Sequence, residues 1–356
     1  MDLYTQPWNH QDLDAVAGLW RKQTGVMRPL QPEGVHSWLL NQVAGNTFFD
    51  REGLLLTFDV SGAKTAEGGV SGRRLVGMIH AAFPPSEEFL RSHYVGGAVP
   101  QWTSPPTARR DGIIAMMIVD ETLEESDKRQ VANELLRYAE VYLRQKHVQI
   151  IYAGGLRPSN NPPFWNGFCG AGDAWGIPDD QLLIHDVLDT AGYRELRHTA
   201  VWRRKLSLPV PLLMEIVKAK RHCRVVATDW RPVRTWEMLT MTPGKPLEYQ
   251  ALASDDHQLG RLVLRKIAET DSVTGEVVDL VVVHWMAWTS GGLNALRREV
   301  ILLLLDAAIQ DLSDPDNLGW IEWILCSDPT YTTRVDTAKM LGFEVARRGT
   351  VRRKEI

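Results

Sequence analysis

The chain has 356 residues, of which 44% are hydrophobic and 24% charged, and its formal net charge is -4. At roughly 100–200 residues per domain this length implies two or three domains, and the balanced composition excludes a disordered chain, a collagen-like fibre and a charge-dominated tail. A slightly acidic chain offers no basic footprint for nucleic acid or for an anionic membrane surface. The cysteines Cys169, Cys223 and Cys326 lie far apart, which argues against a disulfide framework or a CxxC zinc site and suits a reducing cytoplasm. Met1 to Gln6 hold no basic segment followed by an apolar one, so no signal peptide is expected. The longest apolar stretches, 113–119 and 277–288, are too short to span a bilayer as helices.

In chain order, a short polar strand is expected first. A helix over 12–23 follows, where Leu13, Val16, Ala17, Leu19 and Trp20 recur at helical spacing. An amphipathic segment lies near 35–43. Strands are expected over 53–60 and 74–83, joined by the turn-forming run from Ser61 to Gly69. Residues 84–111, rich in proline, glycine and serine, read as a long loop. The run Ile113-Ile114-Ala115-Met116-Met117-Ile118-Val119 is apolar on both faces, as a buried central strand is. Over 126–146 a helical stripe is formed by Val131, Leu135, Tyr138, Ala139 and Tyr142. A strand over 148–153, a helix over 179–191 closed by Gly192-Tyr193, and a strand over 198–206 complete the first half. Leu208-Pro209-Val210-Pro211 punctuates the chain, and the order then repeats. Strands are expected over 224–230, 247–253, 260–269 and 280–288. A helix over 294–312, a strand over 320–326, a helix over 332–341 closed by Gly342-Phe343, and a strand over 345–354 follow. Residues 210–246 are expected to hold only strands and loops. The domains implied are 1–208, a linker over 209–223, and 224–356, shortened at its start.

The repeated unit resembles the core half of the GNAT superfamily of acyl-CoA-dependent N-acyltransferases. The clearest local match is Asp336-Thr337-Ala338-Lys339-Met340-Leu341-Gly342-Phe343, similar to the family's late helix ending in Leu-Gly-Phe, and Val187-Leu188-Asp189-Thr190-Ala191-Gly192-Tyr193 stands at the same place in the first half. The segment from Arg157 to Trp165 resembles the Asn-Pro-aromatic loop of tandem bacterial members such as mycothiol-synthase-like proteins. The resemblance implies an α/β fold with a mixed sheet in two tandem domains. It also implies a buried strand that splays from its neighbour, with acyl-CoA lying in the wedge and its pantetheine amides pairing with the strand. The next helix points its N-terminus at the pyrophosphate.

Carried onto this sequence, the resemblance places pantetheine at Ile118 and Val119 and the pyrophosphate at Lys128, Arg129, Gln130, Val131 and Ala132. The departures are in the phosphate loop, where Asp127-Lys128-Arg129-Gln130-Val131-Ala132 lacks the family's first glycine and Leu296-Arg297-Arg298-Glu299-Val300-Ile301 lacks both. The family's general-acid tyrosine is replaced by Leu188 and Ala338. Asp120 and Glu121 stand where a thioester would sit and are the candidate proton acceptors; the plain alternative is that acids suit the positive start of a helix. His284 is weighed between a base and a buried structural histidine, while His147 and His185 read as surface residues. Trp285, Trp288, Trp320 and Trp323 either fill the wedge of the second half or simply pack. The implied activity is acetyl transfer from acetyl-CoA to a primary amine by direct attack, without metal, nucleic acid or membrane. The rival reading is a catalytically degenerate relative that acts as a ligand-binding or interaction module.

Overall fold

The computed structural model describes residues 1–22, 36, 39–40, 49–61, 72–83, 110–154, 176–230, 245–270, 277–288, 294–313, 316, 319–326 and 332–356. The amphipathic segment near 35–43, the Asn-Pro-aromatic loop, Trp165 and Trp175 lie largely or wholly outside these residues. The chain forms two compact units, one of Met1–His198 with Gly349–Ile356 and the other of Thr199–Arg348.

The first unit contains β1 (Leu3–Pro7), α1 (Leu13–Lys22), β2 (Leu54–Asp59), β3 (Arg74–Ala82), β4 (Arg110–Val119), α2 (Glu125–Gln145), β5 (Val148–Ala153), the two-residue β6 (Ile177–Pro178), α3 (Leu182–Thr190) and the start of β7 (Arg194–Lys205). Strands β1 to β4 are successive antiparallel neighbours, and β5 lies parallel to β4. Helix α2 crosses this sheet with Val131, Ala132, Leu135, Leu136, Ala139 and Leu143 buried. Its close approach depends on Gly77, where a Cβ would stand 2.6 Å from Val131 Cγ1 and 2.9 Å from Leu135 Cδ1.

The second unit contains the rest of β7, α4 (Met214–Ala219), β8 (Cys223–Thr228), β9 (Lys245–Ala253), β10 (Gln258–Thr270), β11 (Val277–Trp288), α5 (Asn294–Leu312), β12 (Trp320–Cys326), α6 (Thr332–Met340) and the start of β13 (Glu344–Glu355). Its sheet repeats the pattern: β8 to β11 antiparallel, then β12 parallel to β11. Residues 209–223, expected as a linker without helix, supply α4, whose Ile216 and Ala219 join the second core. Arg204 holds this segment: the fully buried guanidinium donates to Leu208 O and Pro209 O at 2.8 Å each, and to Leu341 O at 2.8 Å.

Each unit closes its sheet with a strand from the far half of the sequence. In the first unit the partner of β5 is the end of β13, with Arg352 opposite Ala153 and Glu355 opposite Ile150. In the second the partner of β12 is the end of β7, with Thr199 opposite Cys326 and Lys205 opposite Trp320. The Gly-aromatic pairs end α3 and α6 alike. Gly192 and Gly342 take φ of 86° and 78°. Tyr193 N–H donates to Leu188 O at 2.9 Å and Phe343 N–H to Ala338 O at 3.0 Å. This is a Schellman closure, in which glycine adopts the left-handed conformation and the following aromatic is buried against the helix.

Candidate functional site

In each unit the two parallel strands part. β4 and β5 stay in register from Arg110 opposite Val148 to Ile114 opposite Ala153, and Gly154 N–H still reaches Ile114 O at 3.3 Å. Beyond that point β4 runs on to Val119 paired, among the described residues, only with β3. The parting coincides with a bulge: Met116 faces His80 and Ile114 faces Ala81, leaving Ala115 as the extra residue. An extra residue reverses which strand edge each later residue presents. Asp120 N–H donates to Val76 O at 2.8 Å, which places Val76 and Asp120 at a hydrogen-bonded position of the antiparallel ladder. The pattern two residues back assigns Ile118 to Met78 of β3, whereas Met117 and Val119 turn their N–H and C=O away from β3. Of the two residues expected to hold pantetheine, Val119 turns its backbone groups away from β3, as Met117 does, and Ile118 turns its own toward β3.

The second unit repeats this geometry. β11 and β12 are in register from Leu280 opposite Trp320 to Val282 opposite Glu322, after which β11 continues to Trp288 along β10. Here the extra residue is His284, between the pairs Val263–Trp285 and Leu264–Val283. Trp323 is buried edge-on against Phe343 with ring centroids 6.4 Å apart, which is core packing. Trp320 faces elsewhere, under Arg203 and Lys205 at 5.1 and 5.3 Å. The side chains of His284, Trp285 and Trp288 lie outside the described residues.

The candidate acids separate. Asp120 is fully buried and accepts from Arg74 Nη2 at 2.7 Å, Lys22 Nζ at 3.3 Å, Thr122 N at 3.0 Å and Thr122 Oγ1 at 2.8 Å. Burial pushes its carboxyl up, but the hydrogen bonds from Arg74 and Thr122 and the charge of Lys22 together outweigh it and bring it to about 2. A carboxylate so fully satisfied ties β4 to α1 and β3 and is a weak proton acceptor. Glu121 is exposed beside it.

The expected phosphate site also changes. Helix α2 begins at Glu125, and Lys128 N–H already donates to Glu124 O at 2.9 Å. The amides of Arg129, Gln130, Val131 and Ala132 lie inside the helix, and Val131 and Ala132 are core residues. Only the amides of Glu125, Ser126 and Asp127 belong to the open first turn. Lys128 Nζ lies 3.6 Å from Glu125 Oε2, Arg129 pairs with Asp186, and Gln130 Nε2 is 3.5 Å from Met1 O. Between α2 and α3 lies a cleft of about 370 Å³ lined by Glu125, Arg129, Leu182, Leu183, His185, Asp186 and Asp189. His185, expected at the surface, is half-buried: its Nε2–H donates to Pro178 O at 2.9 Å and its Nδ1 accepts from Arg352 Nε at 3.0 Å. Both contacts together require the neutral ring. Arg352 further pairs with Asp189 and lies 3.4 Å from Glu195. The positions of the missing tyrosine, Leu188 and Ala338, are buried in the two cores.

The sequence reading missed both bulges, which have no local signal, and the role of Arg352, which acts across 167 residues on His185. Among the described residues no group of three or more His, Cys, Asp or Glu could hold a metal, and no helix is long and apolar enough to cross a membrane.

No family model matches the chain, and no curated protein matches it in sequence. Solved structures do match its fold. One is the GCN5-related glucosamine N-acetyltransferase region of a fungal multi-domain GH3 β-N-acetylglucosaminidase, at TM-score 0.61 and 12% identity over 99% of this chain. This chain spans 38% of the length of that enzyme. A tandem GNAT protein from the clavulanic acid biosynthesis pathway aligns at TM-score 0.58 and 13% identity, over 99% of this chain and 98% of its own. Saccharomyces cerevisiae N-myristoyltransferase, solved with bound myristoyl-CoA, aligns at TM-score 0.51 and 9% identity, over 99% of this chain and 78% of its own. The fold is that of the GCN5-related N-acetyltransferases. In particular, it is the tandem form, with two such units in one chain.

Proposed function

We propose that the protein is an acyl-CoA-dependent N-acyltransferase that moves an acetyl group from acetyl-CoA to a primary amine. The observation that carries this reading is the parting of two parallel strands at a bulge, present in both units and each time followed by a long helix. Beyond the parting the neighbouring parallel strand no longer pairs that edge, and a strand edge binds an extended chain of amides by strand addition. The pantetheine arm is a chain of this kind. In the first unit this edge includes the backbone of Met117.

Acyl-CoA would supply the activated thioester carbonyl. The chain's own part is to hold the arm extended and to present backbone N–H groups toward the carbonyl oxygen, where negative charge grows as the amine attacks. The edge fits the arm. The acid-bearing start of α2 does not fit the phosphates, whereas the start of α5, Asn294-Ala295-Leu296-Arg297-Arg298, has no acid in its first turn. Asp120 serves the fold, and Glu121 is the remaining candidate acceptor of the amine proton in the first unit.

Calorimetric titration of the full chain with acetyl-CoA tests the reading. Saturable binding is expected, together with amine-dependent thiol release across a panel of primary amines. No heat at millimolar acetyl-CoA would overturn it.

A further inference from the structure

We infer that His185 makes the joint between α3 and the terminal strand acid-sensitive: residues 349–356 are held while its ring is neutral and released when the ring takes a proton. These residues belong to the first unit and close its sheet, with Gly349 and Thr350 paired to β6 and Arg352 to Glu355 paired to β5. The ring sits where these pieces meet. Its Nε2–H donates to Pro178 O of β6 at 2.9 Å, and its Nδ1 accepts from Arg352 Nε at 3.0 Å. Arg352 is the buried anchor of the strand, its side chain 5% exposed. Its other nitrogens go to Asp189 of α3 and, at 3.4 Å, to Glu195 of β7. A second proton enters the ring only at Nδ1, where it displaces the Arg352 hydrogen bond and sets an imidazolium against a guanidinium.

The charges around the ring are already matched. On α3, Asp189 is committed to Arg352 and Asp186 to Arg129 of α2. Across the cleft, Glu125 of α2 has Lys128 Nζ at 3.6 Å. On β7, Glu195 serves Arg352 and lies 3.8 Å from His198 Nε2. Asp179 accepts from Thr350 Oγ1 at 3.1 Å, so that oxygen accepts in turn from His198 Nδ1 at 3.2 Å, a contact His198 keeps in either protonation state. A charge on His185 is therefore added to cations already in place. With the strand held the ring stays neutral; with the strand released both ring nitrogens reach water. Linkage then makes falling pH favour release. A solvated imidazole titrates at about 6.5, so the opening equilibrium shifts about tenfold between about pH 7.5 and about pH 5.5. Release uncovers β5, the strand that parts from β4, and frees α3 at the cleft. The device needs no ligand and stands apart from the acyl-CoA reading.

Hydrogen exchange of the full chain, read as protection factors at about pH 7.5 and about pH 5.5, tests this on the parent and on His185→Gln. Glutamine reproduces both contacts, its carbonyl accepting from Arg352 and its amide donating to Pro178, and it does not titrate. In the parent, protection over 349–356 and 148–153 is expected to fall about tenfold on acidification. In His185→Gln that fall is expected to vanish, while any fall over β2 to β4, where His80 lies, is the same in both proteins. No fall in the parent, or an equal fall over 349–356 in both proteins, overturns the inference. Should the variant not reach parental protection at about pH 7.5, the ring nitrogen shifts of isotope-labelled histidine in the parent decide. A proton on Nε2 and none on Nδ1 of His185 is expected there, and a proton on Nδ1 overturns the inference.

Discussion

Replacing Arg204 by methionine probes the least conspicuous strut of the second unit. The guanidinium is 2% exposed and has four carbonyl partners: Leu341 at 2.8 Å, Lys205 at 3.0 Å, Leu208 at 2.8 Å and Pro209 at 2.8 Å. No carboxylate is among them, and burial lowers its pKa from the ordinary arginine value. Each charge-assisted hydrogen bond contributes about 1.5–3 kcal/mol net, so four would total about 6–12 kcal/mol. Burying the guanidinium costs several kcal/mol, which methionine does not incur. The partly exposed carbonyls of 205–209 regain water, whereas Leu341 O is buried at the end of α6 and loses its donor. The net loss is about 3–5 kcal/mol. Hydrogen exchange measures it at amides of α4, α6 and the strands they cover. Opening there should become easier by roughly two to three and a half orders of magnitude, with first-unit amides unchanged. A change under about 1 kcal/mol in the second unit would refute the assignment of Arg204 as its clamp.

Three further outcomes are expected. His80 is buried, with Nε2 3.2 Å from Asp50 O, and burial brings its imidazole down to about 4 from 6.5. A folded value below the unfolded one means unfolding takes up a proton between them. First-unit stability should therefore fall by about 3 kcal/mol as pH drops from about 6.5 to about 4, and His80→Gln should flatten this slope in urea titrations across that range. For Asp120, held at about 2 against 3.8, stabilisation is present above the unfolded value and is lost as pH falls through the folded one. Asp120→Asn should cost about 2 kcal/mol at pH 7, and its urea midpoint should converge on that of the parent near pH 2. Deleting residues 349–356 uncovers β5 and removes the Arg352 contacts with His185 and Asp189. It should give rapid amide exchange in β5 and α3 and proteolytic nicking of the first unit, and a deletion with parental exchange would contradict the sheet order.

Much of the architecture was legible in the chain itself. Local periodicity acts over a few residues, so the apolar run 113–119, the stripe of α2 and the Gly-aromatic helix ends at Gly192 and Gly342 all identified their elements, and the same order read twice identified a tandem fold. The tryptophan pair 320 and 323 points to opposite faces, as the odd spacing requires. Helix α4 was missed because its six residues are too short to show a period and follow two prolines.

The site was far less legible. A bulge is a mismatch between two strands and leaves no mark on either, so Ala115, His284 and the turning of Met117 rather than Ile118 toward the open edge emerged only from the paired register. The charges of a helix start can be counted in sequence, but their partners cannot. Lys128 and Arg129 looked available for phosphate until Glu125 and Asp186 were found beside them. The final strands cross between units because strand pairing ignores distance along the chain. Periodicity thus identified the elements and their repeated order, and the resemblance carried by the Gly-aromatic helix ends implied the fold class. Register, long-range pairing and the neutralisation of one charge by another were decided by the tertiary structure, because those are properties of residues brought together and not of residues in order.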